Sequence, residues 1–228
     1  MHEATAPGGV PDYGWSSGEA EGSHRYLRPV VLSAIDRAVT GAGRSQMRVF
    51  DAGCGNGALL LDLQSRGYEV AGCDASASGV THARIACGAQ ARIEHLSVYD
   101  DLAGTFGSNW DVVVSTEVVE HLYAPRDFVR QVAHLLAPEG TLVLSTPYHG
   151  YLKNVALALT GALDAHFTAL WDGGHIKFWS YRSLKALLGE FGFTDFEFRG
   201  AGRLPWLWKS MVVVCRKRAA ISAREQLA

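Results

Sequence analysis

A chain of 228 residues, 48% hydrophobic and 19% charged, is long enough for one large globular domain with a substantial core and too short for two comfortable ones. A formal net charge of -2 excludes the broad basic field that gathers nucleic acid, and any strongly acidic surface, leaving small or neutral partners. Cys54, Cys73, Cys87 and Cys215 form no CxxC pair, the start "MHEATAPGGVPDYG" lacks the basic and apolar regions of an export signal, and no apolar run reaches membrane-spanning length; a reducing cytoplasm is the expected compartment.

In chain order, residues 1–22, rich in Gly, Pro, Ser and Ala, read as a flexible arm, although Tyr13 and Trp15 are unusual there. "YLRPVVLSAIDRAV" has apolar residues at helical intervals, and "MRVFDAG" is a short buried strand. "ALLLDLQSRG" predicts a helix stopped by Gly67, "YEVAGCD" a second strand, "SGVTHARIA" a helix, "ARIEHLSV" a third strand and "WDVVVST" a fourth. "APRDFVRQVAHLLAPEG" predicts a helix begun near Pro125, and "TLVLST" a fifth strand. Residues 148–179 form an insertion too apolar and aromatic for a surface loop. "SYRSLKALLGEFG" then predicts a helix, and "FTDFEFRG" and "SMVVVCRK" two strands joined without a helix, so that one enters antiparallel. Residues 219–228 form a solvated tail. The alternation predicts an α/β, Rossmann-like, doubly wound and mostly parallel seven-stranded sheet over 23–218.

In such a sheet the ligand sits beyond the carboxyl ends of the strands, beside the first. "VFDAGCGNG" occupies that place. Gly53 and Gly55, with Gly57, let the backbone turn tightly and approach a ligand. The spacing is GxGxG rather than the GxGxxG of dinucleotide binders, and Asp51 at its mouth repels a pyrophosphate but attracts an ammonium or sulfonium. Asp74 ends the second strand, placed to accept from two ribose hydroxyls. In the bland alternative the glycines only tighten a turn and Asp74 caps the next helix.

"VFDAGCGNG", "GCDAS", "WDVVVSTEVVEHL" and "LAPEGTLVLSTP" resemble the ordered motifs of class I S-adenosylmethionine-dependent methyltransferases, and "SHRYLRP", "EVVEHL" and "GGHIKFWSYRSL" are most similar to the ubiquinone-biosynthesis O-methyltransferase group. The resemblance implies that Arg25 clamps the methionine carboxylate, that Gly53 contacts the methionine part, and that Asp74 and Ala75 lie at the ribose. It places Thr116 near the cofactor and Val98 and Tyr99 beside the adenine. The interior of the insertion departs from the group's pattern, so the acceptor is left open: a quinol or phenol, another hydroxylated metabolite, a sugar, or an amine.

Methyl transfer is an in-line displacement that depends chiefly on alignment, yet a hydroxyl acceptor must still lose a proton. In "EVVEH", Glu117, Glu120 and His121 share one face if a helix begins there. His121 is the candidate base; a structural cap with a hydrogen-bonded histidine is given second place, and a divalent-metal site formed by the three together is the third. His175 in "GGHIKFW" is a candidate lid residue. Trp171, Phe178, Trp179, Trp206 and Trp208 either line an acceptor pocket or belong to the core. The apolar insertion also suits a weak peripheral membrane contact. Two competitors remain, a nucleotide-dependent oxidoreductase, opposed by Asp51 and the glycine spacing, and a non-catalytic adenosine-ligand sensor, opposed by the "EVVEH" and "GGHIKFW" elements.

Overall fold

Alternate residues of the central strands face two different cores, which is why helices must cover both sides of the sheet. On β1 (Arg48–Ala52) and β4 (Trp110–Thr116), Phe50 and Val113 belong to one buried cluster, whereas Val49, Val112 and Val114 belong to the other. β5 (Leu136–Pro147) repeats the pattern, with Leu142 and Leu144 on the first side and Val143 on the second. α5 (Pro125–Leu135) and α8 (Tyr181–Gly189) cover the first face through Phe128, Val132, Leu184 and Leu188. α1 (His24–Val39), α2 (Ala58–Ser65) and α3 (Ala77–Cys87) cover the second through Ile35, Leu60, Leu63 and Ala83. The computed structural model describes residues 15, 22–40, 46–167 and 169–219. The expected arm, apart from Trp15 and Gly22, and the expected tail, apart from Ala219, lie outside them.

The seven strands run in the order β3-β2-β1-β4-β5-β7-β6, adding β2 (Glu69–Asp74), β3 (Arg92–His95), β6 (Phe193–Ala201) and β7 (Ser210–Lys217). Every pairing from β3 to β5 is parallel, and β7 is antiparallel to both of its neighbours. The order reverses between β1 and β4, so a crevice opens at their carboxyl ends. Among the described residues, no helix is long and apolar enough to cross a membrane.

Three local departures from the expected elements have identifiable causes. α5 stops at Leu135 rather than continuing to Gly140, because Ala137 precedes Pro138 and is driven out of the helical region. Leu102–Phe106 forms a short α4 capped by the Asp101 side chain, which accepts from the Gly104 N–H. The insertion is partly helical, with α6 (Tyr151–Leu159) and α7 (Leu163–Phe167).

Candidate functional site

The turn after β1 uses its glycines as their chemistry requires. Gly53, Gly55 and Gly57 all have positive φ, at 89°, 50° and 81°. A side chain on Gly53 would overlap Val118, and one on Gly57 would stand 2.8 Å from Ala83. Beneath the turn Asp51 is 1% exposed, and its Oδ1 has no hydrogen-bond partner among the described residues. Burial, and secondarily the negative charge of Asp74, pushes its carboxyl up to about 8. A cationic ligand would answer that unsatisfied acceptor, whereas a pyrophosphate would meet repulsion.

Asp74, at the end of β2, shapes the turn directly. Its Oδ2 accepts from the Gly55 N–H at 2.7 Å and its Oδ1 from the Ser76 N–H at 2.8 Å. These two bonds hold the Asp74 carboxylate at the end of β2, beside the glycine turn. The Ala75 carbonyl accepts from His95 Nε2 at 2.9 Å, Val98 is buried, and Tyr99 OH accepts from the Ala124 N–H. Thr116 closes β4 and shares a narrow crevice with Leu27, Val31 and Leu59. Arg25, in the first turn of α1, is exposed and makes no ion pair among the described residues. Trp15 was singled out in the sequence only as an oddity. Its N–H donates to Ser78 Oγ at 3.0 Å, and its indole lies against Gly55, where an added Cβ would stand 2.9 Å away.

The "EVVEH" segment is not the start of an α-helix. Glu117 takes a left-handed φ of 56°, and Val119–His121 form one 3-10 turn, so the three polar residues diverge. Glu117 accepts from Ser145 Oγ at 2.9 Å and Ser210 Oγ at 3.1 Å. Glu120, wholly buried, accepts from Thr146 Oγ1 at 3.0 Å through Oε2, while Oε1 has no partner. Burial and then the neighbouring Glu117 raise the Glu120 carboxyl well above its ordinary value. His121 Nδ1 faces the carbonyls of Gly173 at 2.9 Å and Gly174 at 3.2 Å. Carbonyls only accept, so Nδ1 carries the proton and Nε2 the lone pair. Burial lowers the His121 pKa, against the opposing hydrogen bonds to the Gly173 and Gly174 carbonyls.

The end of the insertion is stitched to this segment. The N–H groups of Ile176 and Lys177 both donate to the Glu120 carbonyl at 2.9 Å, and Trp179 Nε1 donates to the Val119 carbonyl. His175 is thereby brought to His121, ring centroids 4.9 Å apart, with Trp171 edge-on to both. Ligand atoms of Glu120, His121 and His175 all lie within 4.8 Å of one another. The geometry therefore gathers a different trio from the one spaced along "EVVEH": His175 joins, and Glu117 turns toward β5 and β7. The aromatic residues also divide. Phe178 packs with His149 and Phe167, while Trp206 and Trp208 join Phe198.

Residues 23–197 match the methyltransferase domain family. The chain is 31% identical over 188 residues to the ubiquinone biosynthesis O-methyltransferase of Ruegeria sp. (strain TM1040), covering 81% of this chain and 75% of that one. It is 31% identical over 196 residues to the Ruegeria pomeroyi protein of the same name, covering 80% and 78%. Among solved structures, magnesium protoporphyrin IX methyltransferase from Synechocystis PCC 6803 with bound SAH superposes with a TM-score of 0.64 at 21% identity, over 84% of this chain and 83% of that one. The carbon methyltransferase CurJ does so with 0.65 at 19% identity, over 83% and 54%. One fold thus serves different acceptor atoms, and the fold by itself does not choose among them. The sheet order, the glycine turn over a buried carboxylate and the match to the domain family converge: the chain belongs to the class I S-adenosylmethionine-dependent methyltransferases, enzymes with S-adenosylmethionine as cofactor.

Proposed function

We propose that the chain is an O-methyltransferase acting on a small or amphipathic hydroxylated acceptor, with His121 as the base that takes the hydroxyl proton. The observation that carries this reading is His121 itself. Two backbone carbonyls accept from Nδ1 and so make Nε2 the ring nitrogen that carries the lone pair, on the turn that follows β4. The name of the Ruegeria relatives supports the oxygen acceptor.

On this reading S-adenosylmethionine supplies an electrophilic methyl group, and the chain holds the partners in line. Gly53 and Gly55 allow backbone approach, Asp51 compensates positive charge, and Asp74 with Ala75 takes the ribose. Val98 and Tyr99 wall the adenine, Arg25 pairs with the methionine carboxylate, and Thr116 lies at the end of β4. Residues 148–179 form the acceptor-side cover, part of one domain over 23–218, and His175 orients the acceptor. Four buried thiols suit a reducing compartment, and we place the enzyme in the cytoplasm.

A second reading rests on the gathered trio. Glu120, His121 and His175 offer one oxygen and two nitrogens, with Glu120 Oε1 buried and unpartnered, a donor set that fits a divalent ion of the zinc type. Such an ion would acidify the acceptor oxygen and replace the base.

The test is S-adenosylhomocysteine release by purified enzyme across catechols, hydroxylated aliphatic compounds and amines. Turnover on hydroxyl acceptors, lost in His121→Ala with cofactor affinity intact, is expected. Turnover confined to amines would overturn oxygen methylation.

A further inference from the structure

Beyond the cofactor crevice, a cavity of about 380 Å³ lies between α6 and the connection from β6 to β7. Its walls are hydrocarbon: Ala156 and Leu157 on one side, Leu204 and Leu207 on the other. Two cations also line it, Lys153 from α6 and Arg203 from the connection. Lys153 is only 5% exposed. Its one direct polar contact among the described residues is a long hydrogen bond of 3.4 Å, donated by Nζ to the Lys209 carbonyl. Neither Lys153 nor Arg203 forms an ion pair among the described residues. Glu117, the carboxyl nearby, has both oxygens engaged by the Ser145 and Ser210 hydroxyls.

An ammonium enclosed this way costs free energy unless an anion answers it, and a second cation at the same cavity adds repulsion. Burial, and then Arg203, lowers the Lys153 pKa to about 8, the nearby Glu117 carboxyl offsetting only part of this, which still leaves it charged at neutral pH. A mostly hydrocarbon surface beside two cations that form no ion pair among the described residues is the complement of an amphipathic anion. The position is also meaningful. Both walls stand at the carboxyl edge of the sheet, where β5 ends at Pro147 opposite Ser210, next to Glu117 at the end of β4.

We infer that this cavity seats an acidic group, carboxylate or phosphate, on an apolar body, so that the methyl acceptor is an amphipathic anion held by Lys153 and Arg203. The inference names the acceptor class of the activity proposed above and rests on that reading. Neither residue carries a motif, and the sequence marks them only as isolated basic residues among apolar neighbours.

The test uses the full-length enzyme saturated with S-adenosylhomocysteine, titrated at pH 7 with decanoate, dodecyl phosphate and decanol. The two anions should bind at least tenfold more tightly than decanol. Lys153→Met, which keeps the length of the side chain without its charge, and Arg203→Gln, at an exposed position, should each remove that preference while S-adenosylhomocysteine affinity is retained, which also reports that the fold survives. Equal affinity for decanoate and decanol, or wild-type anion affinity in both variants, overturns the inference. Charge-dependent sedimentation with phosphatidylglycerol vesicles, without binding of free decanoate, overturns it in favour of a membrane headgroup. Anion binding with no turnover on any hydroxyl acceptor would leave the cavity assigned and sink the proposed oxygen methylation instead.

Discussion

Asp51→Asn should stabilise the free enzyme and weaken its hold on the cofactor. Each tenfold change in proton affinity is worth about 1.4 kcal/mol. Holding the Asp51 carboxyl near 8 against an ordinary value of 3.8 therefore costs the free fold roughly 4 kcal/mol at pH 7. The amide must still place a donor and an acceptor where Oδ1 now has no partner, a penalty of about 1–3 kcal/mol. The net gain is on the order of 1–3 kcal/mol, or roughly 2–10 °C in Tm for a chain of this size. The sign with pH is opposite to that of a salt-bridged aspartate. Between about pH 4 and 8 the native state binds this proton more tightly than the unfolded chain, so this residue's contribution to wild-type stability falls as pH rises through that window. The gap between variant and wild type should accordingly widen by ~2.5 kcal/mol from pH 5 to 7, read by thermal or urea unfolding without ligand. A cation seated above Asp51 reverses the balance. Calorimetry of S-adenosylmethionine binding in buffers of different ionisation heat should show proton release in wild type and none in Asp51→Asn, together with at least tenfold weaker binding in the variant. Parallel stability curves from pH 5 to 7, or unchanged cofactor affinity, would refute the reasoning.

Three further outcomes follow from particular contacts. Gly53→Ala forces a Cβ onto a residue at φ 89° and into Val118, and should cost roughly 2–5 kcal/mol of stability by urea titration. Wild-type stability in that variant would show that the turn relaxes freely. His121→Ala should lower kcat by about a hundredfold or more with little change in cofactor Kd. Because burial depresses the His121 pKa, the acid limb of the wild-type kcat profile should fall below the ordinary histidine range and vanish in the variant; a limb that persists there assigns the base elsewhere. Chelator should leave turnover unchanged if His121 works as a base. Loss of activity restored by zinc, with Glu120→Gln and His175→Ala as damaging as His121→Ala, would transfer the chemistry to the metal reading.

The parts of this molecule legible in its sequence are those whose physics is local. Three glycines at alternate positions announce left-handed backbone, a lone carboxylate at a strand end announces a polar contact at the sheet edge, and Pro138, three residues beyond Leu135, should have announced the end of α5. "EVVEH" was legible as a polar cluster but not as a shape. Its helical reading fails because Glu117 adopts a left-handed backbone and reaches Ser145 and Ser210, partners supplied by strands distant in the chain. The meeting of His121 with His175 was likewise invisible, since it depends on Ile176 and Lys177 donating to one carbonyl of the 3-10 turn. Lys153 and Arg203 were missed for a different reason: an isolated lysine in an apolar helix is usually a solvated one, and only the cavity shows that this one is enclosed.

Charge is distributed along the carboxyl edge in a way that bears on selectivity. Asp51 and Asp74 place carboxyl groups under the glycine turn, with that of Asp51 buried, pushed up to about 8 and ready to give up its proton when a cationic ligand binds. Lys153 and Arg203 place positive groups at the cavity beyond Glu117. Each arrangement lowers the stability of the free fold, because the buried Asp51 carboxyl and the buried Lys153 ammonium are tolerated at a cost that an apolar replacement avoids. On the proposed assignments both costs are relieved by ligands of opposite sign, a cationic cofactor on one side and an anionic acceptor on the other. Either ligand in the other's place would meet like charge in a desolvated setting, so discrimination comes from repulsion as well as attraction. Transfer of the methyl group also removes the sulfonium's positive charge. The product consequently leaves Asp51 less fully compensated than the substrate did, and the electrostatics that favour binding before transfer favour release after it.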